Sequence, residues 1–207
     1  MSDEQQWSEL LDAGIPRRFR AGEELVRQGD AGGFLLVLRA GRVKVLRTEA
    51  DGSRLLLAIR GAGDLIGEMA ASDPCGRNAT VVAVDECFAH QLPVTTFNRL
   101  PAAARLMDYI VSKFNQRIPV QVNLAHFRPM QKVARLLAEL VALAGPEVAD
   151  PRLIPLSQQE IADALGLSRS KVADVVSVLR AEGVLSPERR LTVLDRDGLL
   201  HHTSTVT

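Results

Sequence analysis

The stretch from Pro155 to Leu185 constrains the fold of this 207-residue chain more than any other feature. Ser157 can cap a short helix, and Glu160, three residues later, can return a hydrogen bond that completes a capping box. Gly166 follows where a tight turn needs a left-handed backbone, which only glycine adopts at little cost. Ser168 can then cap a second helix. The stretch therefore predicts two short helices joined by a glycine-containing turn.

The apolar residues of this stretch fit the inner side of a helix-turn-helix. Ala162 is small where the two helices must approach closely, and Gly183 stands as the stop of a second helix that runs to about Glu182. Five further inward positions are apolar, namely Ile161, Leu165, Leu167, Val172 and Val175. In a helix-turn-helix the second helix enters the major groove of DNA. DNA binding is therefore the prediction, and an ordinary helical hairpin is the alternative.

Charge does not by itself favour a nucleic-acid partner. Residues 129–207 contain nine Lys and Arg against ten Asp and Glu, although attraction to phosphates dominates non-specific DNA affinity. A basic face can still form locally from Arg169, Lys171, Arg180, Arg189 and Arg190. Weak, salt-sensitive binding that needs a dimer or an effector fits these numbers, and so does loss of DNA binding.

Composition argues against several other classes of protein. The chain is 46% hydrophobic and 24% charged, as in ordinary soluble domains, and no apolar run approaches the roughly 18 residues of a membrane span. Cys75 and Cys87 are too few for a disulfide framework, a zinc site or an iron–sulfur cluster. No Ser-His-Asp or Cys-His grouping suggests catalysis. We expect a cytoplasmic protein that is not an enzyme, with no catalytic residue and no metal site.

Residues 19–97 have the pattern of an all-β domain. Glycine and aspartate turns separate short apolar or alternating segments, of which the clearest are Phe34–Leu38, Arg42–Leu46, Leu55–Ile59 and Glu86–Leu92. Several short strands at this spacing predict a small barrel or jelly roll. Residues 1–15 predict a short helix that packs outside it through Trp7, Leu10 and Leu11.

From Pro101 to about Ala125 the pattern becomes helical. One stripe repeats at alternating steps of four and three, through Met107, Val111, Phe114, Ile118, Gln121 and Ala125. This short heptad seam is expected to pair with the same helix of a second copy, and covering the barrel is the alternative. Pro119 lies within the seam, where it is expected to kink or interrupt the helix.

A hinge near residues 127–129 separates this helix from the C-terminal part. A helix is predicted from about Met130 to Leu143, followed by a polar linker over 145–155 and the helix-turn-helix. A hairpin over Leu185–Leu194 then forms a wing, and the tail from His201 is expected to be disordered. The predicted domains are therefore 1–100, 101–128 and 129–207.

Apart from the helix-turn-helix, the most specific segment is Gly63-Asp64-Leu65-Ile66-Gly67-Glu68-Met69-Ala70. A second part, Arg77-Asn78-Ala79-Thr80, begins nine residues after Glu68. Together they resemble the phosphate-binding cassette of cyclic-nucleotide domains. With this cassette and the order of its elements, nearly the whole chain resembles the Crp/Fnr family, the cyclic-AMP receptor type of bacterial transcription regulator. The resemblance implies an α+β fold: an N-terminal β-roll of the cyclic-nucleotide-binding jelly-roll type (a double-stranded β-helix), a long dimerisation helix and a C-terminal winged helix-turn-helix.

The resemblance implies a ligand site in the roll. Glu68 would accept from a ribose hydroxyl, and Arg77 would hold a cyclic phosphate, for which a guanidinium offers planar paired donors. Arg117 and Ile118 stand where the cyclic-AMP receptor holds adenine with two adjacent hydroxyl side chains. An arginine there can stack on a purine or bind a second phosphate, and the alternative is a surface charge on a protein that no longer reads adenine. The ligand set is Gly67, Glu68, Met69, Arg77, Asn78, Ala79 and Arg117. The expected effector is a cyclic nucleotide, cyclic AMP or another, and no cofactor is required.

Arg77 carries a further expectation. A loop arginine that serves a phosphate is dispensable to the core, so Arg77→Ala is expected to remove nucleotide binding and leave the fold intact. The alternative is that Glu68 and Arg77 form an internal salt bridge that braces the roll.

The resemblance also assigns DNA contacts. Arg169 matches the family's arginine that reads guanine, the commonest specific base contact. The family's next two contact positions, an acid and a second arginine, are Ser170 and Asp174 here. A different operator is implied, in which Asp174 accepts from a cytosine amine. The DNA-binding set is Ser157, Gln158, Ser168, Arg169, Ser170, Lys171, Asp174, Arg189 and Arg190.

The sequence thus predicts a homodimeric transcription regulator that binds an inverted repeat in double-stranded DNA under allosteric control by a nucleotide. RNA polymerase is a further implied partner, and no membrane partner is expected. Two alternatives stay open. One is a ligand-independent DNA-binding regulator of the same type, and the other is a nucleotide-binding interaction protein that has lost DNA binding.

Overall fold

The computed structural model describes residues 3–52, 54–69, 76–105, 108–112 and 127–203. In these residues helix α1 (Asp3–Asp12) precedes a roll of antiparallel strands, which are β1 (Ile15–Phe19), β2 (Glu24–Val26), β3 (Phe34–Ala40), β4 (Val43–Thr48), β5 (Arg54–Arg60), β6 (Asp64–Ile66), β7 (Thr80–Ala83) and β8 (Cys87–Pro93). One sheet has the order β1-β8-β3-β6 and the other β2-β7-β4-β5. The predicted β-roll is confirmed.

Strand β3 is packed against apolar residues on both faces of its sheet. Leu36 and Leu38 lie in the core inside the roll, whereas Leu35 and Val37 lie in a layer outside it. Successive residues of a strand point to opposite faces, so an unbroken apolar run is what this position requires. As predicted, α1 packs on the outer layer through Trp7, Leu10 and Leu11.

Short helical segments follow the roll. They are α2 (Val94–Phe97), a 3₁₀ helix (Pro101–Arg105) and α3 (108–112). Val111 of the predicted heptad seam lies on α3 and is 48% exposed. Pro119 and the other seam residues lie outside the described residues, namely Met107, Phe114, Ile118, Gln121 and Ala125. The dimerisation helix therefore stays a prediction.

The predicted helix-turn-helix is confirmed. Helix α4 (Pro129–Ala142) precedes α5 (Gln158–Leu165) and α6 (Arg169–Ala181), and a last helix, α7 (Arg196–His201), closes the domain. The inner faces of α5 and α6 are buried as the apolar pattern required, most completely at Ile161, Ala162 and Val172. In the described part of the chain, no helix is long and apolar enough to span a membrane.

The ends of α5 and α6 follow from side-chain chemistry within a few residues. Ser157 Oγ accepts from the Glu160 amide at 3.1 Å, and the Glu160 carboxylate accepts from the Ser157 amide at 2.8 Å. This is the predicted capping box. Gly166 ends α5 in the left-handed region with φ of 62°. Ser168 Oγ then accepts from the Lys171 amide at 3.2 Å and starts α6.

Two segments differ from the sequence prediction. The end of the predicted linker pairs with the wing, because Leu153 forms an isolated antiparallel bridge with Thr192 and Ile154 is buried. The tail was predicted to be disordered from His201, but residues 201–203 continue from α7, and Arg135 Nη2 donates to the carbonyl oxygen of Thr203 at 2.6 Å. Residues 204–207 lie outside the described residues. Both elements are too short for a periodic pattern to show in the sequence.

The C-terminal part packs on the roll around a fully buried arginine. Arg42, just before β4, makes a two-point ion pair with Asp85, with Nε–Oδ2 at 2.5 Å and Nη2–Oδ1 at 2.8 Å. Its Nη1 donates to the carbonyl oxygen of Leu140 in the last turn of α4 at 2.6 Å. Ile59 and Val84 of the roll add apolar contacts to the core of the helical domain. Because a buried charge must be paired, Arg42 fixes how these surfaces meet.

A second ion pair lies at the edge of the same interface. Lys44 Nζ on β4 donates to the Glu160 carboxylate on α5 at 2.6 Å. Burial alone would raise the pKa of Glu160, but the hydrogen bonds from Lys44 and Ser157 lower it overall. The first turn of the helix-turn-helix is therefore tied to the roll.

Candidate functional site

Arg77 is the buried cation of the predicted cassette. Only 4% of the residue is exposed, and its Nη2 donates to the carbonyl oxygen of Phe34 at 2.7 Å while Nη1 donates to that of Gly67 at 3.1 Å. The Phe34 ring lies 4.5 Å from Cζ of the guanidinium, a cation–π contact. Burial lowers the pKa of Arg77, and the charges of Glu68 and Asp30 oppose that shift. An arginine stays protonated under such a shift, so the site holds a permanent positive charge.

The backbone around Arg77 is held closely. Its amide donates to the carbonyl oxygen of Asp30, and its own carbonyl accepts from Gly29, both at 2.8 Å. Gly67 has φ of +85°, and a Cβ there would lie 2.1 Å from Arg77 Nη1. Glycine is therefore needed at position 67 both for its backbone conformation and for the approach of the guanidinium.

The structure brings most of the predicted ligand set to one place. Glu68 is half-buried next to Gly67, and its charge acts on Arg77. Met69 and Asn78 are exposed, whereas Ala79 is buried. Arg117 and residues 70–75, which include Cys75, lie outside the described residues. The roles of these side chains toward a ligand stay predictions.

The expectation that Arg77→Ala leaves the fold intact stays a prediction, but the burial of Arg77 favours a part for this side chain in the core. The Arg77 guanidinium donates to two part-buried carbonyl oxygens and stacks on Phe34. Removing it leaves those carbonyls without a charged donor, which is unfavourable where water reaches them poorly. The predicted ligand contact and a contribution to stability therefore fall on the same side chain.

Tyr109, which the sequence analysis did not single out, ties α3 to the cassette. Its hydroxyl accepts from the Leu65 amide at 2.9 Å and donates to the Asp64 carboxylate at 3.1 Å. Both residues belong to β6, which leads directly into Gly67. Burial raises the pKa of Tyr109 well above its usual range, and Asp64 adds to that shift, so the hydroxyl keeps its proton. A lone tyrosine in a helical pattern gives no signal of such a contact.

Helix α6 presents its polar face to solvent. Arg169, Ser170, Lys171 and Asp174 are all exposed, while the opposite side packs on the core through Val172, Val175, Val176 and Leu179. The cap on Ser168 places Arg169 at the very start of the helix. Side chains at the start of the second helix are those that reach base edges in helix-turn-helix proteins.

A groove joins the start of α5 to the wing. It has a volume of about 590 Å³, and its lining includes Ser157 and Gln158 of the α5 start together with Arg189 and Arg190 of the wing. Both arginines are exposed. Amides at a helix N-terminus and guanidinium groups both favour phosphate. The groove thus gathers predicted DNA contacts that are distant in the sequence.

Two family models match this chain side by side. The cyclic nucleotide-binding domain matches residues 16–103, and the Crp-like helix-turn-helix domain matches residues 131–201. The cyclic AMP receptor protein of Thermus thermophilus is 29% identical over 175 residues, which cover 82% of this chain and 78% of that protein. The chain belongs to the Crp/Fnr family. It is a DNA-binding transcription regulator of the Crp/Fnr type that carries a cyclic nucleotide-binding domain.

Solved structures agree with this membership of the Crp/Fnr family. A CRP-family transcriptional regulator from Thermus thermophilus has a TM-score of 0.75 at 26% identity, covering 90% of this chain and 96% of that one. The c-di-GMP responsive global regulator CLP of Xanthomonas campestris has a TM-score of 0.72 at 23% identity, covering 93% and 100%. The second likeness concerns the fold alone.

Proposed function

We propose that this Crp/Fnr regulator binds an inverted repeat in double-stranded DNA as a homodimer, and that a cyclic nucleotide held by Arg77 and Glu68 controls its affinity. The buried, permanently charged guanidinium of Arg77 carries the proposal. A guanidinium offers paired donors to phosphate oxygens, and the neighbouring carboxylate can accept from a ribose hydroxyl. Such a regulator works in the bacterial cytoplasm, with RNA polymerase as the further partner that promoter control requires.

The relatives favour testing more than one class of nucleotide. The Thermus relative is named for cyclic AMP, whereas the Xanthomonas regulator is named for its response to c-di-GMP. Arg117, in the predicted dimerisation helix, is the residue of this chain that would discriminate between the two classes of nucleotide. An arginine suits a second phosphate or the face of a purine better than a single hydroxyl does. Both cyclic mononucleotides and cyclic dinucleotides are therefore candidate effectors.

Strand pairing supports a route from the nucleotide site to the DNA-binding domain. Strand β7 begins just after the cassette and pairs with β4, from Val43 opposite Ala83 to Leu46 opposite Thr80. Strand β4 follows Arg42 and carries Lys44, and both side chains bond to the helical domain. If the ligand binds more tightly when β7 is in one of two placements, it favours that placement and shifts the contact between β4 and the helical domain. Only such a difference in affinity shifts the equilibrium between the two placements.

Two rival functions each have an observation in their favour. Residues 129–207 are slightly acidic, and Asp174 lies exposed on α6, which favours an interaction protein without DNA binding. The hydrogen bonds of Arg77 to Phe34 and Gly67 brace the roll on their own, which favours a regulator that needs no ligand.

Two measurements on the full chain decide among these functions. Calorimetric titration with a panel of cyclic mono- and dinucleotides tests the ligand, and selection from random duplex DNA with and without the bound nucleotide tests the target. We expect one nucleotide to bind and to change the affinity for an enriched inverted repeat. Enrichment without any nucleotide binding supports the ligand-independent regulator. Nucleotide binding without enrichment supports the interaction protein.

Arg77→Lys is expected to weaken nucleotide binding by roughly tenfold or more, because lysine keeps the charge but loses the planar fork. Arg77→Ala is expected in addition to lower the free energy of unfolding by about 1.5–3 kcal/mol, the contribution of hydrogen bonds to a charged group. Calorimetry measures the first effect and urea denaturation the second. Arg39→Lys, at an exposed position of β3, is the matched control. Equal affinities of wild type and Arg77→Lys would show that Arg77 does not hold the phosphate.

Phe114→Glu is expected to convert the dimer to monomers, because it places an unpaired charge in the predicted apolar seam. Light scattering at micromolar concentration measures the mass. Asp108→Asn, which also changes the charge of this segment by one but lies outside the seam, is expected to leave the dimer intact. A monomeric wild type would contradict the proposed dimer, whatever the variants do.

A further inference from the structure

Arg180 belongs to the local basic face predicted from the sequence, yet its side chain is turned toward the wing. It lies in the last turn of α6. Its Nε donates to the carbonyl oxygen of Ser186 at 3.0 Å, and its Nη2 donates to that of Glu188. Hydrogen bonds from a charged donor are about twice as strong as neutral ones. Arg180 therefore links the second helix of the helix-turn-helix to the backbone of the wing.

The turn after α6 explains why the wing lies within reach of Arg180. The amides of Val184 and Leu185 both donate to the carbonyl oxygen of Leu179, at 2.9 and 3.1 Å, and reverse the chain. The Ser186 amide then donates to Thr192 at 2.9 Å across the hairpin. Ser186 is itself only 6% exposed. The hairpin is thus well anchored at its base.

The tip of the wing is held much less closely. Residues 187–190 are all exposed, and Pro187 has no amide hydrogen to donate. The Glu188 amide donates to Ser186 Oγ at 3.1 Å, and the Glu188 carbonyl is the acceptor of Arg180. Arg189 and Arg190 follow immediately. Ordering a short exposed loop costs backbone entropy. The bonds from Arg180 offset part of this cost, and they do so at the residues that directly precede the two wing arginines.

We propose that Arg180 is a positioning residue for DNA binding: it holds the wing from α6 so that Arg189 and Arg190 reach the phosphates, and it makes no phosphate contact itself. The inference rests on the proposed binding of DNA and deepens it. Direct contact of Arg180 with a phosphate is the competing role. The two roles differ in the effect of Arg180→Ala on a protein that lacks the wing arginines. A positioning residue then has no further effect on DNA affinity, whereas a residue that contacts a phosphate still contributes.

A double-mutant cycle on the full chain makes this distinction. The proteins are wild type, Arg180→Ala, the wing variant Arg189→Ala/Arg190→Ala, and the combination of all three changes. Affinity is measured over a salt series, for the enriched duplex and for one of unrelated sequence. We expect Arg180→Ala in the wild-type background to weaken binding to both duplexes by roughly tenfold and to reduce the salt slope by about 1. In the wing variant the same change is expected to weaken binding by less than about twofold.

Arg180→Lys should restore part of the affinity, because one ammonium can still reach one of the two carbonyl oxygens. Arg196→Ala is the matched control, since it removes the same charge from an exposed position of the same domain, at the start of α7. It is expected to shift affinity far less than Arg180→Ala. An equal loss in both backgrounds of the cycle, or no loss in either, overturns the proposal.

Hydrogen exchange gives a second readout that does not depend on DNA. In Arg180→Ala the amides of residues 186–192 are expected to exchange faster, while those of α5 keep their wild-type rates. Unchanged exchange in the wing overturns the proposal even if DNA affinity falls. A wild type that binds no DNA overturns the proposed function instead. The exchange experiment alone then shows whether Arg180 holds the wing.

Discussion

Arg169→Ala is expected to abolish enrichment of an inverted repeat in a selection from random DNA. The residue is exposed at the start of α6, where Ser168 caps the helix. An arginine that holds guanine through two donors contributes about 1–3 kcal/mol of discrimination per contact. A symmetric dimer loses that contact in both half-sites, which gives about 2–6 kcal/mol in all. A loss of this size removes much of the roughly 4–10 kcal/mol that separates specific from non-specific binding.

Loss of specificity must be separated from general weakening. Arg189→Ala is the comparison, because a lost phosphate contact weakens binding to all sequences and reduces the salt dependence. Asp174→Arg tests the opposite change on the same face of α6. It is expected to raise affinity and alter the enriched sequence, since it replaces an acid near phosphates by a second base-reading arginine. If Arg169→Ala enriches the wild-type repeat to the same extent, Arg169 reads no base.

The helix-turn-helix was predictable because its signals are local. The bonds between Ser157 and Glu160 span three residues, and so does the bond from Lys171 to Ser168. Gly166 needed only its own backbone conformation. Contacts over three residues can be predicted from the types of the neighbouring residues. The cassette, in contrast, was found through its resemblance to a family, and no local rule placed Phe34 against Arg77.

The features that the sequence did not reveal depend on contacts between distant parts of the chain. Arg42 bonds to Leu140, which is 98 positions away, and Tyr109 bonds to Asp64 across 45. In sequence, Arg42 opens an alternating strand, where an arginine is usually exposed. Its burial is decided only when the helical domain packs on β4. The bridge from Leu153 to Thr192 was not predicted for the same reason, since the two residues are distant in the sequence.

Arg42→Ala is expected to lower the free energy of unfolding by about 3–5 kcal/mol, the usual effect of removing one partner of a buried ion pair. It leaves Asp85, 15% exposed, without its cation, and it leaves the Leu140 carbonyl without a donor. The Cys87 thiol, whose pKa burial raises to about 12, stays a neutral donor to the Arg42 carbonyl at 3.3 Å. Urea denaturation followed by the fluorescence of Trp7 and by circular dichroism measures the loss.

A control on β4, the strand that follows Arg42, isolates burial as the cause. Arg47 pairs with Glu49 at 3.1 Å, but both side chains are exposed, so Arg47→Ala is expected to change stability by less than about 1 kcal/mol. The double variant Arg42→Ala/Asp85→Ala is expected to recover part of the loss, because no unpaired charge is left. If Arg42→Ala changes stability no more than Arg47→Ala, the interface between the roll and α4 does not form in solution.

The same interface can be tested for its part in nucleotide control without unfolding the protein. Lys44→Gln removes the bond to Glu160 and leaves the capping box with Ser157 in place. If control passes from β7 through β4, the ratio of DNA affinities with and without nucleotide should move toward 1, while the affinity for nucleotide alone changes little. An unchanged ratio would show that the bond from Lys44 carries no coupling, and the next contact to test is that of Tyr109, which joins the cassette strand β6 to α3. Tyr109→Phe, which deletes only the hydroxyl, would then be the variant that reduces it.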